Sequence, residues 1–369
     1  MIKFSYYIKK DSSVDRIIQF AASLFFTLVR KSIIQHEIHE DVILIISLHR
    51  LGDTVFTIPA IKALRRASCS KIVIACYEDS KKIYDLAFND QEYLILKKEN
   101  FYFSGRIANS AARKKIKNIN AGTVIDITGG INSALLIFNN KAGKIVGFND
   151  KYFKKIYSDY IPSRKIPHLM DMYLEAAKLI VNIEDEDSLK YFGKSLEPSG
   201  DILIHPFAGW KSKEWGFEKF IELSQRINKY YKSKFVIPLD HADDKTLAYL
   251  NSKKIACTIS KDIQDLIDAI KKASIVIGCD SGAVYISSLL GKPTFTIYGP
   301  TNPRFSLPYG IHHDYIVKET ALTPKDDEQY GYADAGRKEP GCDFMNLVTV
   351  EEVSEKINQF YKKVFNETD

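Results

Sequence analysis

Two short stretches combine a carboxylate with small residues at the end of an apolar run. In LHRLGDTVFTIPA (48–60), Asp53 stands just past a strand-like run, with Gly52 before it to allow a tight turn. A carboxylate in that place can take a proton from an attacking hydroxyl and act as a general base. Aspartate is equally a preferred helix N-cap, and spacing alone leaves both roles open. The second stretch, IVIGCDSGAVYISSLLGKPTFTIYGPTNP (275–303), runs from a strand into Asp280, Ser281 and Gly282, and a helix follows. Gly291, Lys292 and Pro293 end that helix, and the next strand reaches Tyr298, Gly299, Pro300 and Thr301. Small residues at a helix start let backbone N–H groups and the positive end of the helix dipole approach a diphosphate. Taken alone, the Asp-Ser-Gly turn is also an ordinary capped helix start.

These residues need strands and helices to present them, and the chain supplies both in alternation. From Asp41 onward, short β-branched runs alternate with amphipathic stretches, the pattern of parallel βα units. DVILIISL (41–48) reads as a buried first strand and PAIKALRR (59–66) as a helix whose first turn tolerates Pro59. KIVIACY (71–77), EYLILK (92–97), GTVIDIT (122–128) and KAGKIVGF (141–148) read as further strands. A helix-rich stretch and the charge-dense EDEDSLK (184–190) follow.

A second series opens at GDILIHPFA (200–208), after the turn-forming EPSG (197–200). Its strands are KFVIPL (234–239), ACTIS (256–260), SIVIGCD (274–280) and TFTIYG (294–299), alternating with helices such as DIQDLIDAIKKA (262–273). The segment 348–365 has a helical period and closes the series. Two successive doubly wound series predict an α/β protein of two Rossmann-like domains facing a central cleft. The expected division is an amphipathic extension at 1–40, an N-terminal domain at 41–190 and a C-terminal domain at 191–369. A linker at 184–199 is where the domains are expected to move.

A length of 369 residues fits two domains, since a single core stops growing at about 250–300 residues. The net charge of +6 is uneven: residues 1–120 hold 20 Lys and Arg against 12 Asp and Glu. Such a field favours anionic partners, whether nucleic acid, an acidic membrane surface or a phosphorylated glycolipid; a solvated lysine-rich surface is the plainer reading. Five widely spaced cysteines without a Cys-x-x-Cys pair argue against a disulfide framework and a thiolate zinc site, and favour a reducing cytosol. No segment reaches the roughly 18 apolar residues of a membrane span. The run Ile17 to Val29, flanked by Arg16 and Arg30, has no signal-peptide cleavage pattern. A helix there with Ile17, Phe20, Leu24, Phe25 and Leu28 on one side fits a membrane surface or the body of the protein equally.

Asp280-Ser281-Gly282, the helix, Gly291-x-Pro293 and a strand ending in GPT-x-P together resemble the donor-site motif of the ADP-heptose:lipopolysaccharide heptosyltransferases, glycosyltransferase family 9. LGDTVFTIPAIKAL (51–64), VIDITGGINSALL (124–136) with KIVGF (144–148), IHPFAGWKSKEWGFEKF (204–220) and CDFMNLVTVEEV (342–353) agree in the same order, so the resemblance spans about residues 41–360. It implies a GT-B architecture and an inverting transfer of heptose from ADP-heptose to the inner core of lipopolysaccharide. By position, Asp53 matches the family's catalytic base and Gly52 shapes its loop. Lys213, two residues before Trp215, matches the lysine on the donor phosphates. Asp280 matches the sugar contact, and the amides of Ser281 and Gly282 match the phosphate contacts. Apart from its flanking motif, Lys213 reads as a surface lysine.

The chain departs from the family in two places. Tyr285 stands where histidine is common; it donates a hydrogen bond but cannot become a cation near neutral pH. Arg50 replaces a serine or threonine before the Gly-Asp pair. The ribose-binding acid is Asp243 or Asp244, with Asp244 carried into the expected donor-site set. His168 reads as structural and stays outside the site. The resemblance implies no obligatory cofactor, with Mg2+ at most a stimulant. The expected partners are ADP-heptose or another nucleotide sugar, and a lipid-linked anionic saccharide acceptor. They place the enzyme in the cytoplasm, peripheral on the cytoplasmic face of the inner membrane. The alternatives are a glycosyltransferase using another nucleotide sugar in outer core, capsule or O-antigen synthesis, and a non-catalytic sugar-nucleotide-binding scaffold. No G-x-G-x-x-G follows the first strand of either domain, which weighs against a dehydrogenase. Nucleic-acid binding has charge in its favour but no motif, and it is not expected.

Overall fold

Every β-branched run read as a strand forms one in the computed structural model. The structure describes residues 20–21, 24–25, 40–102, 107–148, 154–161, 168–183, 200–310, 312–319 and 344–366. The chain divides into two compact units, Met1–Glu186 and Asp187–Asp369. The expected linker at 184–199 lies outside the described residues, as does most of the 1–40 extension.

The first unit is built on β1 (Glu40–Ser47), α1 (Leu51–Ala67), β2 (Lys71–Cys76), α2 (Glu78–Tyr84) and β3 (Glu92–Ile95). A two-stranded antiparallel hairpin, β4 (Phe101–Tyr102) and β5 (Ile107–Ala108), precedes α3 (Ser110–Lys117). Then come β6 (Ala121–Asp126), α4 (Ile131–Ile137), β7 (Lys144–Phe148), β8 (Asp159–Ile161) and α5 (Leu169–Lys178). Six of these strands form a parallel sheet in the order β3-β2-β1-β6-β7-β8. Strands covered on both faces carry apolar side chains continuously. Accordingly Val42 to Ile46 of β1 are all buried.

The helix after β1 is longer than expected. Pro59 lies inside α1 rather than in its first turn. Proline cannot donate to the carbonyl four residues back, yet ten residues between Thr54 and Leu64 are buried, and that packing holds the helix through the break. Asp53 therefore sits in the first helical turn and is not the N-cap, a place taken by Arg50. Gly52 has helical backbone and no positive φ, so it makes no tight turn. The extended Arg50, with φ −77° and ψ 168°, carries the chain straight from strand to helix.

The second unit repeats the plan with β9 (Ile202–His205), α6 (Phe217–Ile227), β10 (Ser233–Pro238), α7 (Asp244–Ser252), β11 (Ala256–Ser260) and α8 (Ile263–Lys271). It continues with β12 (Val276–Cys279), α9 (Gly282–Leu289), β13 (Thr294–Ile297), α10 (Pro303–Ser306), β14 (His313–Ile316) and α11 (Val350–Asn366). Its parallel sheet has the order β11-β10-β9-β12-β13-β14, the same topology as the first.

Val353, Ile357, Phe360 and Val364 recur at helical spacing and bury one stripe of α11 in the core with Trp215, Phe220, Phe235 and Phe295. The Trp215 indole N–H donates to the Val348 carbonyl at 2.8 Å, and the Lys219 ammonium donates to the Met345 carbonyl at 2.9 Å. Met345 also packs where a Cβ on Gly299 would stand, 2.4 Å from its sulfur. The methionine segment is thus part of the second unit's core. Among the described residues no helix is long and apolar enough to cross a membrane.

Candidate active site

In each sheet the chain turns one way from the first strand and the other way from its neighbour. Crevices at the carboxyl ends of such strand pairs are where doubly wound folds bind ligands. In the first unit the pair is β1 and β6; in the second it is β9 and β12.

Asp53 is half-buried in the first turn of α1, directly beyond β1, where the helix dipole favours an ionised carboxylate. The loop behind it is pinned from both sides. The Thr54 hydroxyl donates to the Arg50 carbonyl at 2.9 Å, and the Ser80 hydroxyl donates to the His49 carbonyl at 3.1 Å. Toward β6, the Leu48 N–H donates to Thr128 Oγ1 at 2.8 Å and the Thr128 hydroxyl donates to the Ile46 carbonyl at 3.1 Å. His49 Nε2 lies 3.0 Å from the Ile127 carbonyl, which requires the proton on that nitrogen. Burial lowers the His49 imidazole to about 4 against the pull of that carbonyl, so the ring is neutral at ordinary pH.

Asp126 at the end of β6 accepts from the Thr128 and Gly129 amides at 3.0 and 3.1 Å and from the Tyr157 hydroxyl at 2.7 Å. Complete burial nevertheless pushes its carboxyl up to about 6. The sequence reading quoted VIDITGGINSALL but assigned no role to Asp126 or Thr128, and it passed over His49. The hydrogen bonds of His49 and Thr128 tie the end of β1 to the end of β6, and those of Asp126 hold the turn that follows β6.

In the second unit the structure brings Lys213, Asp280 and Tyr285 into one cluster. Lys213 closes a short 3-10 turn, Lys211–Lys213, beyond β9. Its ammonium lies 2.5 Å from Asp280 Oδ2, with side-chain exposures of 16% and 4%, and stands over the Trp210 ring at 4.7 Å. Asp280 also accepts from the Thr301 hydroxyl at 2.7 Å and from the Tyr285 hydroxyl. Burial acts to raise the Asp280 carboxyl; the Lys213 charge and the hydrogen bonds of Lys213, Tyr285 and Thr301 outweigh it and hold the group below the usual range. Burial keeps Tyr285 and Tyr298 well above the ordinary phenol range, so both stay protonated. Thr301 was read only as part of a motif, and the GPT run was the signal for its place here.

Ser281 is the N-cap of α9, yet its hydroxyl caps nothing; Oγ is buried and has no hydrogen-bond partner. Gly282 is the first residue of α9, where backbone N–H groups lack intrahelical acceptors. An ammonium, a hydroxyl and free amides therefore meet at one helix start.

The family model of glycosyltransferase family 9 (heptosyltransferase) matches residues 110–331, more than half of the chain. The chain belongs to that family. The fold agrees with this glycosyltransferase assignment. E. coli heptosyltransferase WaaC in its structure with ADP superposes with a TM-score of 0.66 at 17% identity, covering 86% of this chain and 99% of WaaC. WaaC with ADP-2-deoxy-2-fluoro heptose gives 0.64 at 17% identity, covering 86% and 99%. The family 9 glycosyltransferase of Veillonella parvula gives 0.65 at 19% identity, covering 88% and 98%. These likenesses establish the GT-B fold. No curated protein sequence matches the chain.

The acids expected at the ribose, Asp243 and Asp244, take other places in the structure. Asp243 is the N-cap of α7, its carboxylate accepting from the Thr246 amide at 2.7 Å, which holds it below the usual range. Asp244 is exposed at the first position of α7, and among the described residues no hydrogen bond or ion pair joins it to the Lys213–Asp280 cluster. Beyond β9 and β10 the rings of Phe207 and His241 instead stack at 4.0 Å, a flat surface the sequence reading did not anticipate. His168 is structural: it caps α5 by accepting from the Met170 amide at 3.2 Å and packs edge-on against Phe56. Among the described residues no three His, Cys, Asp or Glu side chains gather into a metal-holding group. Cys69, Cys76, Cys257 and Cys279 are free thiols.

Proposed function

We propose that this glycosyltransferase moves heptose from ADP-heptose to a hydroxyl of the lipopolysaccharide inner core, with inversion at the anomeric carbon. The observation that carries the reading is the start of α9, where the Lys213–Asp280 pair, the unpartnered Ser281 hydroxyl and the first-turn amides stand together. A diphosphate answers all three donor groups at once. WaaC supports the choice of donor, since its structures hold ADP and ADP-2-deoxy-2-fluoro heptose.

In the proposed reaction the acceptor oxygen bonds to the anomeric carbon as the bond from that carbon to the β-phosphate oxygen breaks. The Asp53 carboxylate takes the acceptor proton. ADP departs with its developing charge met by the Lys213 ammonium and the α9 amides. The first unit serves as the acceptor half and the second as the nucleotide-sugar half. No cofactor enters this scheme, and Mg2+ is at most a stimulant. A lipid-linked anionic acceptor puts the work at the cytoplasmic face of the inner membrane, with the enzyme peripheral there.

A second reading keeps glycosyl transfer but changes the sugar. Tyr285 favours it, because its hydroxyl engages the same Asp280 that the family resemblance assigns to the donor sugar. Titration calorimetry with ADP, UDP, GDP and CDP, on wild type and Lys213→Ala, separates the readings. Selective ADP binding that weakens about 10–100-fold in the variant is expected, as for loss of a charged hydrogen bond. Preference for UDP or GDP would discard the heptose donor, and no binding to any of the four would discard the enzyme reading.

A further inference from the structure

The α3–α4 face of the first unit has a charge pattern that the donor site does not explain. Residues 100–149 hold seven Lys and Arg and one acid, Asp126, and that acid is fully buried. α3 turns Ala112 and Ile116 inward and leaves Lys114, Lys115 and Lys117 exposed, none of them in an ion pair among the described residues. A cation in the last turn complements a helix dipole, but neighbouring unpaired lysines repel one another. An anion from outside the unit relieves that repulsion.

Beside this basic face lies apolar surface. The Arg113 guanidinium stands over the Phe138 ring at 5.7 Å, and the same ring meets Phe25 edge-on at 5.2 Å. Phe25 thus fastens residues of the N-terminal extension to the end of α4. Phe20 and Leu24, helical and one turn apart, are 69% and 57% exposed. Exposed large apolar side chains beside clustered cations are the two signals that together hold a protein on an anionic bilayer.

We propose that this face docks on an anionic lipid bilayer, with Phe20 and Leu24 entering the headgroup boundary and Arg113, Lys114, Lys115 and Lys117 meeting lipid phosphates. The inference deepens the proposed function by naming where the lipid-linked acceptor is met, and it rests on that reading for the choice of a membrane over a second protein.

The test is cosedimentation of the full chain with vesicles of phosphatidylglycerol and phosphatidylethanolamine, against vesicles of phosphatidylcholine alone, at low and high salt. Two variants accompany wild type: Phe20→Ser with Leu24→Ser, and Lys114→Gln with Lys115→Gln and Lys117→Gln. All substituted side chains are exposed, and melting curves check that the variants fold. Wild type should bind the anionic vesicles and release in high salt. The lysine variant should lose about a hundredfold in partitioning, and the Phe20/Leu24 variant about tenfold or more. ADP binding, measured on the same samples, should not change, so failure here is distinguishable from failure of the donor assignment. Equal binding by wild type and variants, or no preference for anionic vesicles, would overturn the proposal. So would a dimer in light scattering that the variants dissolve without any vesicle binding, because the face then pairs with a second copy.

Discussion

Replacing Lys213 by alanine strands a buried carboxylate, and the cost follows from what remains around it. Asp280 keeps the Tyr285 and Thr301 hydroxyls but loses the Lys213 ammonium. Removing one partner of a buried ion pair costs about 3–5 kcal/mol when nothing else answers the charge. Two hydroxyl donors already answer part of it, which brings the expected loss to about 2–3 kcal/mol. For a unit of this size that corresponds to a fall of about 4–12 °C in Tm. Both tryptophans, Trp210 and Trp215, belong to the second unit, so urea unfolding followed by tryptophan fluorescence reads this unit alone.

Two companion measurements identify the cause. Lys213→Ala combined with Asp280→Asn should be more stable than Lys213→Ala by about 1–2 kcal/mol, since the uncompensated charge is gone. Acidification should also act differently on wild type and variant. In wild type the Asp280 carboxyl is held below its unfolded value of 3.8, so the unfolded chain binds more protons. The stabilisation is complete above that value and is lost as pH falls through the folded one. In the variant, burial acts on Asp280 without Lys213 to oppose it, so the deficit should narrow as pH falls. An unchanged urea midpoint in Lys213→Ala, or a double variant no more stable than the single, would refute the picture of a mutually dependent buried pair.

Asp53→Asn should cut turnover about 10²–10⁴-fold and leave ADP binding intact; unchanged transfer removes Asp53 from the mechanism. His49 and His205 are both lowered by burial to about 4 from 6.5, so the unfolded chain takes up their protons first and stability falls as pH drops from 6.5 toward 4. Asp126, raised to about 6 from 3.8, acts oppositely between those two values, and two histidines against one carboxyl leave a net loss on acidification. Urea titrations across this range should show that loss, and His49→Gln should flatten it. In Gly147→Ala the new Cβ would stand 2.3 Å from the buried Tyr157 ring that bonds Asp126, and a cost of about 1–3 kcal/mol is expected from forced repacking, read by thermal circular dichroism.

The central strands were legible because a parallel strand buried on both faces must be a continuous β-branched run, and DVILIIS or SIVIGC can be little else. The edge strands β3 and β11 were read as well, from EYLILK and ACTIS, but the other two edges were not. β8 and β14 are only DYI and HDYI, too short and polar to carry a pattern, and pairing with β7 and β13 makes them strands. The early start of α1 was hidden by Pro59, whose local preference for a first turn is overridden by the burial of Thr54 to Leu64. The site divided similarly. Asp280 and Lys213 stood out by motif, but their direct pairing joins residues 67 positions apart, and no local spacing encodes it. Phe207 and His241 meet only because β9 and β10 are neighbours.

The indole of Trp215 bonding to Val348 sets an order of events during synthesis. These residues are 133 positions apart, which a ribosome adding about 5–20 residues per second covers in roughly 7–27 seconds. For that interval α6, β9 and β10 exist without the α11 stripe that covers Phe220 and Phe235, leaving their apolar surface open to other chains. The first unit is closed by α5, whose Tyr173 meets His49, and it can close while the second is still being made. Slow codons or a shortage of chaperones should therefore penalise the second unit first, and insoluble product should be rich in chains whose first unit is already folded.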